Sequence, residues 1–138
     1  MTVDRKAADG YSMATREQAL DFMADFPGYG EQRWYSDALG TEQLSFSWRR
    51  MPSGTGGRGS YGHRHPGQEE VYFVISGTVT FKVDDDVFEA GPRTAVRIGG
   101  DAYRSVHNDT DGEAELLIFS TRLVEPLLEK REDFWPSR

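Results

Sequence analysis

The 138-residue chain predicts an all-β fold, a sandwich or barrel of short strands with a short helix at each end. Three observations predict it. Short segments rich in Val, Ile, Tyr and Phe recur along residues 42–121. Several of them alternate apolar and polar residues. Clusters of Gly, Pro and Asp punctuate them at regular intervals. The length suits one domain with a real core, read as a helical lead and first strand (1–41), a barrel (42–124) and a closing helix with tail (125–138).

Each element has its own signal. Thr15 followed by Gln18 resembles a capping box, and Arg16 to Phe26 then carries Leu20, Met23 and Phe26 on about one face, which predicts a helix stopped by Pro27-Gly28. Glu42 to Arg49 alternates strictly and predicts a half-buried strand with Leu44, Phe46 and Trp48 facing inward. Inward aromatics are core by default; as pocket lining, Phe46 and Trp48 become candidate ligand-binding residues. Pro52 to Gly62 is a Gly- and Ser-rich loop. Val71 to Ser76 is apolar on both faces, as in a central or interface strand. Gly77 marks a turn, and Val79, Phe81 and Val83 alternate again. Asp84-Asp85-Asp86 is a solvated hairpin tip. Val87 to Glu89, Thr94 to Ile98, Tyr103 to His107 and Glu115 to Thr121 supply further strands, the last two joined through Asp109 to Gly112. Pro126 near the start of Glu125 to Arg131 suggests a short closing helix. Phe134 and Trp135 then anchor the tail on an apolar surface of this subunit or a neighbour.

Composition excludes several classes. A net charge of −7 argues against nucleic acid as a partner, since its binders carry basic patches. No apolar run is long enough to span a membrane, and Met1 to Ala8 lacks the apolar stretch of a secretory signal. The absence of cysteine removes disulfides, thiolate catalysis and thiolate metal sites, and fits a cytoplasmic location. Any metal here is held by nitrogen and oxygen.

The most informative stretch is His63-Arg64-His65, with Glu70 close behind. On a strand, residues i and i+2 project from one face about 7 Å apart, close enough for two imidazoles to lean onto one ion. A nearby carboxylate completes a two-His, one-carboxylate set with open coordination positions. The alternative is two surface histidines beside an acidic turn.

The spacing around these residues resembles the first motif of the cupin superfamily: Gly, five residues, His-x-His, three or four residues, Glu, six residues, Gly. Here it runs Gly57, His63, His65, Glu70, Gly77. The interval to Gly77 selects Glu70 over its neighbour Glu69, and in an extended segment the two point to opposite faces. The resemblance spans roughly Leu44 to Thr121. It implies a double-stranded β-helix, a jelly-roll barrel, with a divalent metal (Fe, Mn, Ni or Zn) held by His63, His65 and Glu70 inside it.

The second motif of that family, Gly, a short strand, Pro-x-Gly, two residues, His, then Asn, is incomplete. Gly91 fits its start. With Gly100 as the inner glycine, Ile98 replaces the proline, Tyr103 takes the histidine position and Asn108 follows slightly late; with Gly99, Ala102 takes it. Tyr103 then has three roles open: a phenolate ligand, a hydrogen-bond or proton-transfer group beside the ion, or a space-filler in a weak three-ligand site. His107 lies four residues further, about 13 Å along a strand, and reads as an exposed or edge histidine.

Strand phase places Tyr72 beside an inward Glu70, as a pocket-lining residue. Gln68, in the turn before Glu70, either contacts a ligand or serves the turn. Among Arg49, Arg97 and Arg104, an inward arginine would suit an anionic substrate such as a carboxylate. Three functions follow: a metal-dependent enzyme on a small molecule, by oxygen activation or Lewis-acid polarisation; a metal-free or weakly metallated binding or sensing barrel; and a sugar-type isomerase or epimerase using acid–base chemistry at Tyr103. The two-faced apolar strand and the aromatic tail suit a homodimer.

Overall fold

A computed structural model describes residues 10–137; the reading of Met1 to Ala8 lies outside them. The strands are β1 (Leu20–Asp21), β2 (Glu31–Trp34), β3 (Leu44–Met51), β4 (Ser60–Arg64), β5 (Glu70–Ser76), β6 (Val79–Val83), β7 (Asp86–Ala90), β8 (Ala95–Ile98), β9 (Arg104–His107), β10 (Ala114–Thr121) and β11 (Glu129–Trp135), with one short helix, α1 (Ser36–Leu39). They form two antiparallel sheets, ordered β1-β2-β3-β10-β5-β8 and β11-β4-β9-β6-β7. This is the jelly-roll barrel expected, and every strand anticipated between residues 42 and 121 is present.

The interior is graded along the barrel. Register puts Ala114 opposite Met51, Leu116 opposite Val74, Ile118 opposite Tyr72 and Ser47, and Ser120 opposite Glu70 and Ser45. One end is therefore apolar. There Met51, Val74, Val79, Phe81, Ala114 and Leu116 are completely buried in a single core cluster. Toward the other end the same inward positions carry Ser45, Ser47, Arg49, Glu70 and Ser120, and the barrel opens into a cavity. The closed end supplies the burial that stabilises the fold, about 25 cal/mol per Å² of apolar surface. The open end is free to carry chemistry.

Gly77 completes the β5–β6 turn at φ +75°, and a Cβ there would lie 2.6 Å from the Glu113 carbonyl oxygen. Only glycine meets both conditions without strain.

Three expectations are corrected. The N-terminal helix shrinks to one 3₁₀ turn, Arg16–Gln18, although its capping box forms. Asp21 Oδ1 then accepts the backbone N–H groups of Met23 and Gln32 at 2.9 and 3.0 Å, and β1 pairs with β2. An Asp that captures backbone donors competes with the helix, and a short helix with no buried face is marginal by itself. Leu20 and Phe26, two of its three apolar residues, are exposed.

The C-terminal helix is replaced by β11, which pairs with β4 with Lys130 opposite His63. An open sheet edge offers a full row of backbone partners, which a single turn of helix cannot match. The tail aromatics do find an apolar surface, in this subunit. Phe134 and Trp135 are 5% and 3% exposed, and Phe134 lies against Gly62.

The phase of β3 is inverted. Ser47 and Met51 are buried, whereas Leu44 is 62% exposed. Phe46 packs on the outer face between Tyr35 and Phe119, at ring distances of 5.4 and 5.1 Å, and the Trp48 indole donates to Glu115 Oε2 at 2.9 Å. Strict alternation was read correctly, but the apolar face looks outward because the inward face lines a polar cavity.

The N-terminal strands are tied to the barrel by charge. Glu31, almost wholly buried, accepts hydrogen bonds from Arg16, Arg33 and Arg50 at 2.9, 2.9 and 3.2 Å. The Arg16 guanidinium above all, with Arg33 and Arg50, holds its carboxyl at about 2 against desolvation.

Candidate functional site

His63 projects inward from β4, His65 follows just past its end, and Glu70 opens β5. The turn between them is closed by the Gln68 amide donating to the His65 carbonyl at 2.9 Å. Gly100 packs on the same turn so closely that a Cβ would lie 2.7 Å from the His65 carbonyl oxygen. The result gathers one donor atom from each of His63, His65 and Glu70 within 4.8 Å of one another. Glu69 points the other way and pairs with Arg97 on the surface, as the alternation required.

The protonation states favour lone pairs at the centre. His65 Nδ1 lies 3.2 Å from the Leu127 carbonyl, so Nδ1 carries the proton and donates. Its Nε2 is thereby turned toward Glu70, 3.9 Å from Oε2. Burial foremost, then the neighbouring His65 and the charges of Arg104 and Arg49, push the His63 pKa down to about 3, so its ring is neutral at pH 7. The Tyr72 hydroxyl donates to Glu70 Oε1 at 3.0 Å, and burial, with the Glu70 charge, raises its pKa well above the ordinary phenol value, keeping the donor proton in place.

Two imidazoles and a carboxylate make a donor set suited to a first-row divalent ion, with the hydrogen bonds from Tyr72 and to Leu127 fixing side-chain orientation. The expected place of the fourth ligand is different from the reading of Tyr103. Tyr103 stands on the outer face of its sheet, its ring 6.3 Å from Phe134 and capped by the Arg64 guanidinium at 4.7 Å. It does not line the cavity, and the catalytic role considered for it loses its geometry. The residue that turns inward is Arg104, opposite His63 in the β4–β9 ladder and 0% exposed. Its Nε is 3.9 Å from Glu70 Oε1. A guanidinium has no lone pair to give, so three protein ligands are available. The sequence held a sign of this. Asn108 is late counted from Tyr103 and on time counted from Arg104. Asn108 is completely buried; its amide nitrogen donates to the Met51 and Gly112 carbonyls at 3.0 and 2.8 Å, which fixes the turn after β9.

A cavity of about 400 Å³ adjoins His63, His65 and Glu70. Tyr72 lines it, as expected; Phe46 and Trp48 do not, which corrects their assignment as ligand-binding residues. Gln68 is buried, donates to the Thr121 carbonyl at 2.7 Å, and lines a neighbouring recess instead. Sequence reading missed the mouth: Phe22, Met23, Tyr29 and Trp34, from the N-terminal segment, form an apolar rim, with Phe22 stacked on Trp34 at 6.0 Å. Phe22 and Met23 fall in a segment read as helix, and Tyr29 and Trp34 in the stretch after it that was given no role. His107 is also corrected. It is buried rather than exposed, its Nδ1 accepting from the Arg58 amide at 3.2 Å, and it is not part of the cavity lining.

Comparison with known proteins agrees with this fold. Residues 50–120 match the family model described as a cupin domain. Among solved structures, a sugar phosphate isomerase of the cupin superfamily from Silicibacter pomeroyi is 23% identical with a TM-score of 0.66, over 75% of this chain and 66% of its own length. A cupin protein from Bacteroides fragilis is 20% identical with a TM-score of 0.66, over 84% and 87%. The polyketide cyclase RemF from Streptomyces resistomycificus is 16% identical with a TM-score of 0.68, over 88% and 84%. At these identities the likeness is one of fold. No curated protein matches the chain.

Proposed function

The chain belongs to the cupin superfamily, and from that premise we propose that it holds a divalent metal ion (Fe, Mn, Ni or Zn) through His63, His65 and Glu70 and binds a small molecule in the adjoining cavity. The observation that carries the reading is the convergence of three lone-pair donors within 4.8 Å, one of them oriented by the Leu127 carbonyl. An ion held by these three residues would supply Lewis-acid polarisation or oxygen activation to a ligand in the cavity. The chain's own residues do the rest. His63 presents a neutral nitrogen, Tyr72 holds Glu70 in place, and Phe22 and Trp34 give the cavity an apolar rim. Elemental analysis of protein expressed in metal-supplemented medium tests the proposal. The wild type should carry metal that His63→Ala and His65→Ala lose; equal metal in all three would sink it.

Arg104 favours a second reading, a barrel that binds its ligand with the metal weakly held or absent. Its cation stands close to Glu70 and opposes a divalent charge. Ligand-induced thermal stabilisation that persists in chelator supports this reading. An isomerase or epimerase built on Tyr103 has no such support, because Tyr103 faces away from the cavity.

We also propose that a second copy covers the outer face of the six-stranded sheet. Register brings Phe46, Trp48, Val71, Phe73, Leu117 and Phe119 together there, and Phe119 is still 37% exposed. Sedimentation equilibrium should give twice the chain mass, and Phe119→Lys should halve it.

A further inference from the structure

Among the described residues, Arg49 is a cation without an ion-pair partner. It projects inward from β3, two residues from Ser47 and two from Met51, and lines the cavity. Its Nε is buried without a hydrogen-bond partner. No described acidic side chain forms an ion pair with it, and burial pulls its pKa down. Arg104, on the facing sheet, is likewise short of hydrogen bonds. It is completely buried, its Nη2 donates to the Gly99 carbonyl at 2.9 Å, and its Nε and Nη1 have no partner. The nearest carboxylate is Glu70, 3.9 Å from the Arg104 Nε. Two guanidinium groups thus face the one carboxylate of Glu70 across this end of the barrel. Taking an unpaired charge out of water is costly, and such groups persist where another charge completes the pair. The rim above them is apolar: Phe22, Met23, Tyr29 and Trp34.

We infer that the cavity takes an organic anion with an apolar, ring-sized body, its carboxylate held by Arg49 and its body against Phe22, Met23, Tyr29 and Trp34. This rests on the ligand cavity of the proposed function and names the class of molecule it accepts, but it does not depend on the metal. The guanidinium fork meets a carboxylate in bidentate geometry, which a neutral amide cannot offer. Arg104 adds positive potential from behind Glu70 and favours the anion further.

Isothermal titration of the full chain with 3-phenylpropanoate, 3-phenylpropanamide and inorganic phosphate tests this, in chelator and again with added Mn²⁺. The carboxylate should bind in chelator at least about tenfold tighter than the amide, the size expected from a desolvated charge pair. It should also bind at least about tenfold tighter than phosphate, which lacks the apolar body. Arg49→Gln should abolish the preference for the acid over the amide, while Arg97→Gln, on the surface, should leave it intact. Equal binding of acid and amide by the wild type would overturn the inference, and that comparison stands even if Arg49→Gln fails to fold. Phosphate binding as tightly as the carboxylate would also overturn it. Carboxylate binding in chelator by protein that takes up no metal would uphold the inference while the metal proposal fails. Metal uptake without carboxylate binding would do the reverse.

Discussion

Arg104 Nε, completely buried inside the barrel, lies 3.9 Å from Glu70 Oε1 at the edge of the cavity. A permanent cation thus stands beside the carboxylate of the His63, His65 and Glu70 cluster, opposite His63 in the ladder. It balances the charge of Glu70 but competes with any ion that Glu70 would hold. The metal affinity proposed for the site depends on this pair, and the proposed preference for anions gains from Arg104 as well as Arg49.

Replacing Arg104 by histidine should therefore strengthen metal binding. The change adds a nitrogen donor and removes a repelling charge. The expected gain is at least about tenfold, the size that outer-shell partners alone produce. Competition with a coloured chelator measures it.

Tyr72→Phe should act in the opposite direction. It keeps the buried ring beside Phe81, at a centroid distance of 5.4 Å, and removes only the hydrogen bond to Glu70. Metal affinity should fall about tenfold. Stability should fall by about 1 kcal/mol, the net worth of one hydrogen bond. The same competition assay and a urea melt read the two effects separately.

Glu31 sets an acid limit on the N-terminal strands. Its folded pKa of about 2 lies below the ordinary value of 4.5. A depressed carboxyl stabilises the fold above its unfolded pKa, and that stabilisation is lost as pH falls toward the folded value. The difference in unfolding free energy between wild type and Glu31→Gln should be full above pH 4.5 and shrink toward pH 2. Its size is on the order of 3 kcal/mol. Urea melts of both proteins across that range give the difference directly.

Gly77→Ala should destabilise the protein by about 2 kcal/mol or more. The substitution places a side chain at positive φ and drives its Cβ toward the Glu113 carbonyl. Equilibrium denaturation checks it. Gly112→Ala, where a Cβ meets open space, is the comparison and should cost far less.

Much of the barrel was legible in the sequence because turn residues and apolar segments mark its strands directly. Glu70 was separable from Glu69 because side chains on a strand alternate. The phase of β3 was not legible, for a physical reason. Alternation shows that two faces differ, and the rule that the apolar face points inward fails where the interior holds a polar cavity. Phe46 and Trp48 were placed inside on that rule, while Ser45, Ser47 and Arg49 are the residues that line the cavity. A strand with serines and an arginine on one face and aromatics on the other is, in this fold, a sign of a ligand cavity on the polar side. The two ends were misread because short helical patterns carry little energy by themselves. An open sheet edge at β4 and the side chain of Asp21 decided their structure through partners distant in sequence. Arg104 was displaced by one residue in the reading because the turn after Gly100 is one residue longer than the motif.

Anomalous diffraction from a crystal soaked in Mn²⁺ tests the metal centre most directly. One strong peak is expected within bonding distance of His63, the Nε2 of His65 and the carboxylate of Glu70, with Tyr103 remote from it. At saturating metal, no peak among those three residues, or a peak held by Tyr103, would contradict it.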